Sequence, residues 1–373
     1  MGVEVFLGQG RFTGRDTVEV EGQTLRFARA VIATGGRAQI PSIPGLKEAG
    51  CLTNESVFQL TMLPPRLTII GGGPIGCEMA QAFHRLGSRV TVIHNAAHIL
   101  NREDADAAAI VQRAFQREGI SLLLNAKTVR VDARDGVNTV TVEQQGRLVD
   151  VSGEALLVAA GRIPNVEGLG LEAAGVASDQ RGVRVNDALQ TTNPRVYAAG
   201  DIAAPFTFTH TANALGRMAM VNALLAIGPL GRQRMSRLTV PWCTYTDPEI
   251  AHVGLYERQA AERGTPVTTL TVPLEENDRA ILDGEEEGFV RVHLKRGTDR
   301  IVGATVVAAH AGDLLTYFTL LMSMDKGLAA LANPIYPYPT QSEVIKRLAN
   351  RHLQTRLTPF VKRLLGALVS CRR

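Results

Sequence analysis

The stretch Arg66–Ile70 runs directly into Gly71, Gly72, Gly73, Pro74, Ile75 and Gly76, and this junction constrains the fold more than any other part of the chain. Its apolar run is that of a strand buried in a parallel sheet. Residues 77–86 then carry helical periodicity, with Met79, Ala80, Phe83 and Leu86 on one side. Gly87 stops the helix and Arg89–Ile93 reads as a second strand. Gly71, Gly73 and Gly76 have the GxGxxG spacing, and between strand and helix that spacing has a mechanism. The first glycine permits the tight turn. The second lets the backbone approach a pyrophosphate, and the third lets helix and strand pack closely. The helix N-terminus, opened by Pro74 and Ile75, faces the phosphate charge. The segment therefore reads as a dinucleotide site.

The second strand is followed by His94, Asn95 and Ala96. An acid at this point binds the ribose 2′-hydroxyl of NAD, yet no carboxylate occurs before Glu103. No Arg pair for a 2′-phosphate is present, although His94 can donate to one. The reading leans to NADPH over NADH, with His94 and Asn95 as contacts. The alternative for His94 is a surface residue at a strand end.

Elsewhere, residues 3–7, 17–20 and 25–28 read as short strands. Residues 30–34 read as a buried strand ending at Gly35 and Gly36, and Pro41, Pro44 and Gly45 mark a linker. A helix is expected over about 104–118, with strands near 120–124, 127–132 and 138–144. Two further buried strands end in glycine at Gly161 and Gly200, and a long helix covers roughly 209–226. Beyond Pro229, alternation at 250–254, 267–272, 288–294 and 301–306, with helices near 311–328 and 341–352, reads as a separate α+β domain. With 36 Gly and 5% aromatic residues in 373, an aliphatic α/β core fits better than an all-β sandwich. No apolar run approaches the roughly 18 residues of a membrane span, and the first residues carry no secretory signal. The four cysteines form no CxxC or CxxxxC pair, so neither a zinc ribbon nor a local redox disulfide is expected. No metal site is expected, and a reducing, cytoplasmic setting is.

Beyond the glycine turn, Ala33-Thr34-Gly35-Gly36, Pro44-Gly45, Ala160-Gly161-Arg162-Ile163-Pro164-Asn165, Ala199-Gly200-Asp201 and Tyr245-Thr246-Asp247-Pro248-Glu249-Ile250-Ala251 occur in that order. With these pieces the chain resembles the flavin-dependent pyridine nucleotide-disulfide oxidoreductases, among them dihydrolipoamide dehydrogenase, glutathione reductase and mercuric reductase. The resemblance implies an α/β fold in which a nicotinamide-binding domain is inserted in an FAD-binding domain, followed by an α+β dimerisation domain. On that basis residues 1–62 and 179–232 belong to the FAD-binding domain, 63–178 to the NAD(P)-binding domain and 233–354 to the interface domain, with 355–373 a basic tail. Asp201 is implied to accept a hydrogen bond from the flavin ribityl chain, and Thr34 and Gly35 to form part of the flavin turn. Glu78 and Gly161 are implied to lie at the nicotinamide dinucleotide, and Thr207, Phe208 and His210 to approach the isoalloxazine ring. A homodimer is implied, acting on a small molecule, a disulfide or a metal ion.

Two departures qualify the resemblance. Where the family carries His-Pro-Thr before its Ser-Glu, this chain has Tyr338-Pro339-Thr340-Gln341-Ser342-Glu343. A phenol titrates near 10 and an imidazole near 6.5, so Tyr338 is a poor base for a thiol. The mercuric reductase branch is similar in having Tyr there, but its vicinal cysteine pair is reduced here to Cys371. Tyr338 and Glu343 are the candidate catalytic pair. The family's first GxGxxG and its CxxxxC have no counterpart, so a frame truncated at its N-terminus is expected. The alternatives are a nicotinamide-binding, dimerising remnant, and a flavin-dependent NAD(P)H oxidase or diaphorase without a redox disulfide. From Lys346 on there are eight Lys/Arg and no Asp/Glu, leaving the rest of the chain acidic on balance. With the basic excess confined to one tail and no reader module, nucleic-acid binding is not expected. Leu357, Phe360, Val361, Leu364, Leu365 and Leu368 make an apolar stripe in that tail. Packing on the dimer or the body is the preferred reading, with an anionic membrane surface as the alternative.

Overall fold

A computed structural model describes residues 2–203, 205–228 and 230–370. They fall into two compact units. The residues up to Gln39 join Gly161–Leu238 in one, and Ile40–Ala160 joins the residues from Thr239 on in the other.

In the unit containing Ile40–Ala160, four parallel strands lie in the order Ala155–Val158, Arg66–Ile70, Arg89–Ile93, Ser121–Leu123. The two strands around the glycine turn form where their apolar runs require, and Leu67, Ile69, Val90 and Val92 are buried. The helix between them spans Pro74–Arg85, one turn earlier than its periodicity implies, because Gly73 caps it and Pro74 suits the first helical position. Its buried positions include Cys77, Ala80 and Gln81, while Leu86, expected on the apolar side, is 69% exposed just past the end. The helix Ala105–Glu118 is stopped by Gly119 in a left-handed conformation.

Strands Ala126–Arg134, Val137–Gln144 and Arg147–Gly153 form an antiparallel sheet. The last was not expected. Its Leu148 and Val149 are exposed, which hides its strand character, but Gln145 and Gly146 both have positive φ in the hairpin turn before it.

From Thr239 on, five antiparallel strands lie in the order Pro241–Thr244, Glu249–Gly254, Ile301–Ala308, Phe289–Lys295, Val267–Pro273. Helices Ala311–Ser323 and Glu343–Thr355 pack on this sheet through Leu314, Leu315, Phe318, Val344, Ile345 and Leu348. The helix expected over 311–328 ends at Ser323, and Leu328–Ala332 continues as a 3-10 turn.

The other unit holds a three-stranded meander of Gly10–Gly14, Thr17–Val20 and Gln23–Arg26. Ala30–Ile32 pairs in parallel with Val196–Ala198, and Gly36–Ala38 pairs antiparallel with Arg162–Pro164. The helix Thr209–Leu224 follows. Residues 3–7 are not a strand: Val3, Val5 and Leu7 are exposed, with no partner to bury them.

Candidate active site

The glycine turn is held by backbone geometry. Gly71 has φ of +116°, and a Cβ there would lie 2.4 Å from the Ala159 carbonyl oxygen. At Gly76 it would lie 1.9 Å from the Gly71 oxygen. Gly73 differs, because a Cβ there would meet nothing within 4 Å. The turn is therefore tight at its first and third glycines and open at the second, at the N-cap of the Pro74–Arg85 helix, where a phosphate meets the positive helix end. An open glycine at a helix N-terminus fits a dinucleotide.

Gly72, a variable position in the motif, is also constrained. A Cβ there would sit 2.9 Å from His94 Cγ. Its N–H donates to His94 Nδ1 at 3.1 Å, and its carbonyl accepts from Leu100 N–H at 2.7 Å and from Cys77 Sγ at 3.4 Å. A glycine at a position the motif leaves open, the middle one of three in a row, was the sequence signal for this bracing.

His94 requires a correction. An Nδ1 that accepts from a peptide N–H is unprotonated, so the ring is neutral with its proton on Nε2. The residue is buried, and desolvation, with His98 nearby, lowers its pKa. It is not a surface strand end but a brace for the turn, and its Nε2–H has no hydrogen-bond partner among the described residues. Asn95 beside it is exposed. Glu103, the first carboxylate after the strand, is turned away from ribose work. Buried, it accepts from Trp242 Nε1 at 2.9 Å and from the Tyr256 hydroxyl, and burial raises its pKa.

Along the Pro74–Arg85 helix, three side chains face the 245–248 loop. Glu78 Oε1 accepts from Tyr245 N–H at 2.9 Å, and its pKa is raised by burial. Gln81 donates to the Asp247 carbonyl and accepts from the Asp247 N–H, at 2.9 and 2.7 Å. Arg85 bridges Glu118 and Asp247. Cys243 Sγ lies 3.6 Å from Glu249 Oε2, and burial together with that carboxylate pushes its thiol pKa strongly up. Burial does the same to Cys77, so both thiols are poor nucleophiles.

In the other unit, three of the quoted motifs meet. Arg162 donates from Nε to Asp201 Oδ2 at 3.2 Å and from Nη2 to the Gly36 carbonyl at 2.6 Å. Thr34 Oγ1 donates to the Asn165 carbonyl, and Asn165 Nδ2 donates back to the Thr34 carbonyl, at 3.0 and 2.9 Å. Gly36 is needed here because a Cβ would lie 2.9 Å from the Ile163 oxygen. Gly35, with φ of +66°, has nothing within 4 Å of its Cβ position. A half-buried carboxylate beside an open glycine turn fits a polyhydroxyl ligand such as the flavin ribityl chain. Gly161 belongs to this unit, and its carbonyl accepts from Gln39 N–H at 2.9 Å. Thr207 and His210 are exposed at the start of the Thr209–Leu224 helix, with Phe208 stacked on His210 at 5.4 Å.

Tyr338 is 71% exposed, and its hydroxyl donates to Asp278 Oδ2 at 3.1 Å. That hydrogen bond raises the phenol pKa further from neutrality. Glu343 opens the Glu343–Thr355 helix, where an acid is favoured at the N-terminus. Cys371 lies outside the described residues.

The profile of the pyridine nucleotide-disulphide oxidoreductases matches residues 1–220, and that of their dimerisation domain matches residues 240–349. The chain belongs to the pyridine nucleotide-disulphide oxidoreductase family. Members use FAD and a nicotinamide dinucleotide, and the α/β and dimerisation folds are those of this family. A mercuric reductase of Bacillus cereus is 38% identical over 92% of this chain and 54% of its own length. A dihydrolipoyl dehydrogenase of Thermus scotoductus is 35% identical over 93% of this chain and 75% of its own. The HOCl-induced flavoprotein disulfide reductase of Escherichia coli superposes with a TM-score of 0.83 at 27% identity, covering 92% of this chain and 78% of that one. The chain thus spans about half the length of the Bacillus cereus mercuric reductase and 63% of one from Staphylococcus aureus.

Proposed function

We propose that the chain serves an FAD-dependent oxidoreductase that takes electrons from NAD(P)H and passes them to a disulfide or a thiophilic metal ion, as a homodimer. The observation that carries this reading is the glycine turn, closed at Gly71 and Gly76, braced at Gly72 and open at Gly73. In it, Gly73 and the Pro74–Arg85 helix N-terminus hold the pyrophosphate and Glu78 lies at the nicotinamide end. Thr34, Gly35 and Asp201 hold the flavin, and Arg162 orients Asp201. Flavin, when bound, supplies hydride acceptance and electron relay. The compact unit of Thr34, Arg162 and Asp201, up to Gln39 with Gly161–Leu238, is assigned to flavin binding, Ile40–Ala160 to nicotinamide binding and the residues from Thr239 to 354 to dimerisation. The exposed Tyr338, with its raised pKa, favours a mercuric reductase-like acceptor over a disulfide whose exchange needs an imidazole base. NADPH is preferred on the strength of the strand end, which offers no acid for a ribose 2′-hydroxyl.

The purified chain supplied with FAD tests this. An oxidised-flavin absorption band that bleaches with NADPH faster than with NADH, and recovers with mercuric ion, supports the reading. A colourless protein that still binds NADPH overturns flavin chemistry for this chain.

A further inference from the structure

The last helix, Pro359–Ser370, is formed by local rules. Thr358 caps it: its Oγ1 accepts from Val361 N–H at 3.3 Å, its carbonyl accepts from Lys362 N–H at 2.9 Å, and Pro359 takes the first helical position. The helical repeat gathers Phe360, Val361 and Leu368 on one face, with Lys362, Arg363 and Gly366 on the other. Such a stripe is ordinarily spent on a protein core. Here it is not: Phe360 is 75% exposed and Leu368 is 55% exposed, and none of the described residues of this helix joins a core cluster. Phe360 and Leu368 are thus not packed on the body of their own chain, and the side chains of Leu364 and Leu365 lie outside the described residues.

Charge indicates what covers the face. Residues 355–373 carry Arg356, Lys362, Arg363, Arg372 and Arg373 and no acidic residue, and none occurs after Glu343. Two copies meeting through this helix would bring like charges together with no carboxylate in the segment to offset them. Nor is the helix a span: among the described residues no helix is long and apolar enough to cross a membrane. An apolar stripe flanked by basic side chains, short and uncovered, has the physics of a helix lying in a lipid headgroup layer. There the stripe enters the acyl boundary and the cations meet anionic lipid.

We infer that the Pro359–Ser370 helix docks the protein on an anionic phospholipid bilayer surface. The attraction is a surface effect, so it is screened by salt over roughly 10 Å at 0.1 M.

Flotation of the full chain with vesicles tests the inference, using phosphatidylcholine alone and phosphatidylcholine mixed with phosphatidylglycerol. The protein is expected to rise with the mixed vesicles at low salt and to stay behind with neutral vesicles or at high salt. Lys362→Glu combined with Arg363→Glu is expected to lower the bound fraction about tenfold or more, and Phe360→Asp to abolish binding. Equal recovery with both vesicles, or unchanged recovery of the double variant, overturns the inference. So does a fall in the mass of Phe360→Asp measured by light scattering without vesicles, which assigns the stripe to self-association. The variants' thermal transition is expected to match the parent's, which separates lost docking from misfolding.

Discussion

Gly73 and Gly76 show one residue type meeting two demands. At Gly76 a methyl group meets the Gly71 carbonyl at 1.9 Å, and rigid backbone cannot yield. Gly76→Ala is expected to destabilise the protein by about 1–3 kcal/mol, read as a lowered melting temperature. At Gly73 the space is open and φ is −80°, so Gly73→Ala is expected to melt with the parent yet bind NADPH far more weakly, because its methyl occupies the phosphate approach. A Gly73→Ala variant that binds normally would refute the assignment of that glycine. Tyr338 raises a different question. Its hydroxyl is engaged by Asp278, and its pKa lies above the ordinary phenol value. Tyr338→Phe is therefore expected to leave the pH profile of NAD(P)H oxidation unchanged between about pH 5 and 9. A lost basic limb in that window would show that the phenol does act as an acid or base.

Among the elements, the 94–104 segment links the glycine turn to the five-stranded sheet. Leu100 N–H holds the Gly72 carbonyl, Glu103 N–H holds the Leu100 carbonyl, and the Glu103 carboxylate takes Trp242 and Tyr256. Glu103→Ala takes the carboxylate from the buried Tyr256 hydroxyl and from the half-buried Trp242 indole, at about 1–3 kcal/mol. Trp242 is the chain's single tryptophan, so its fluorescence reports the change directly. A red-shifted emission together with weaker NADPH binding is expected, and an unchanged spectrum would show the link to be idle. On the Pro74–Arg85 helix, Gln81 is 4% exposed and reads both polar atoms of the Asp247 peptide, whereas Arg85 makes half-exposed ion pairs. Gln81→Ala is expected to cost about 1–3 kcal/mol and Arg85→Ala under about 1 kcal/mol.

For the molecule as a whole, the buried imidazoles set a dependence on pH. His252 is fully buried, with Nδ1 at the Thr305 hydroxyl and Nε2 donating to the Gly254 carbonyl, and burial lowers its pKa to about 3. His94 and His293 are lowered for the same reason. A histidine whose folded pKa is depressed binds more protons when unfolded. Its neutral-state stability is therefore complete above about pH 6.5 and is lost as pH falls towards the folded value. The limiting slope is about 1.4 kcal/mol per pH unit for one group. Melting temperature is expected to fall from pH 6.5 downward, less steeply in His252→Asn than in the parent. Parallel curves would remove His252 as a cause.

Sequence alone determined the parts whose cause is local. Apolar runs placed Arg66–Ile70 and Arg89–Ile93 at their observed bounds, and glycine spacing identified a turn whose steric need for Gly71 and Gly76 the backbone bears out. Ordered motifs identified the family. What required tertiary structure were partnerships between residues far apart in the chain. His94 allowed a surface strand end until Gly72 supplied a partner for its buried ring, and Glu103 was only the first acid after the strand until Trp242 and Tyr256 enclosed it. Asp201 was singled out by its place after Ala199 and Gly200, but Arg162, which donates to it, stands 39 residues away. Periodicity along a chain tells which face is buried. Which donor meets which acceptor is set by the folding that brings distant segments together, and so are the protonation state and role of a side chain.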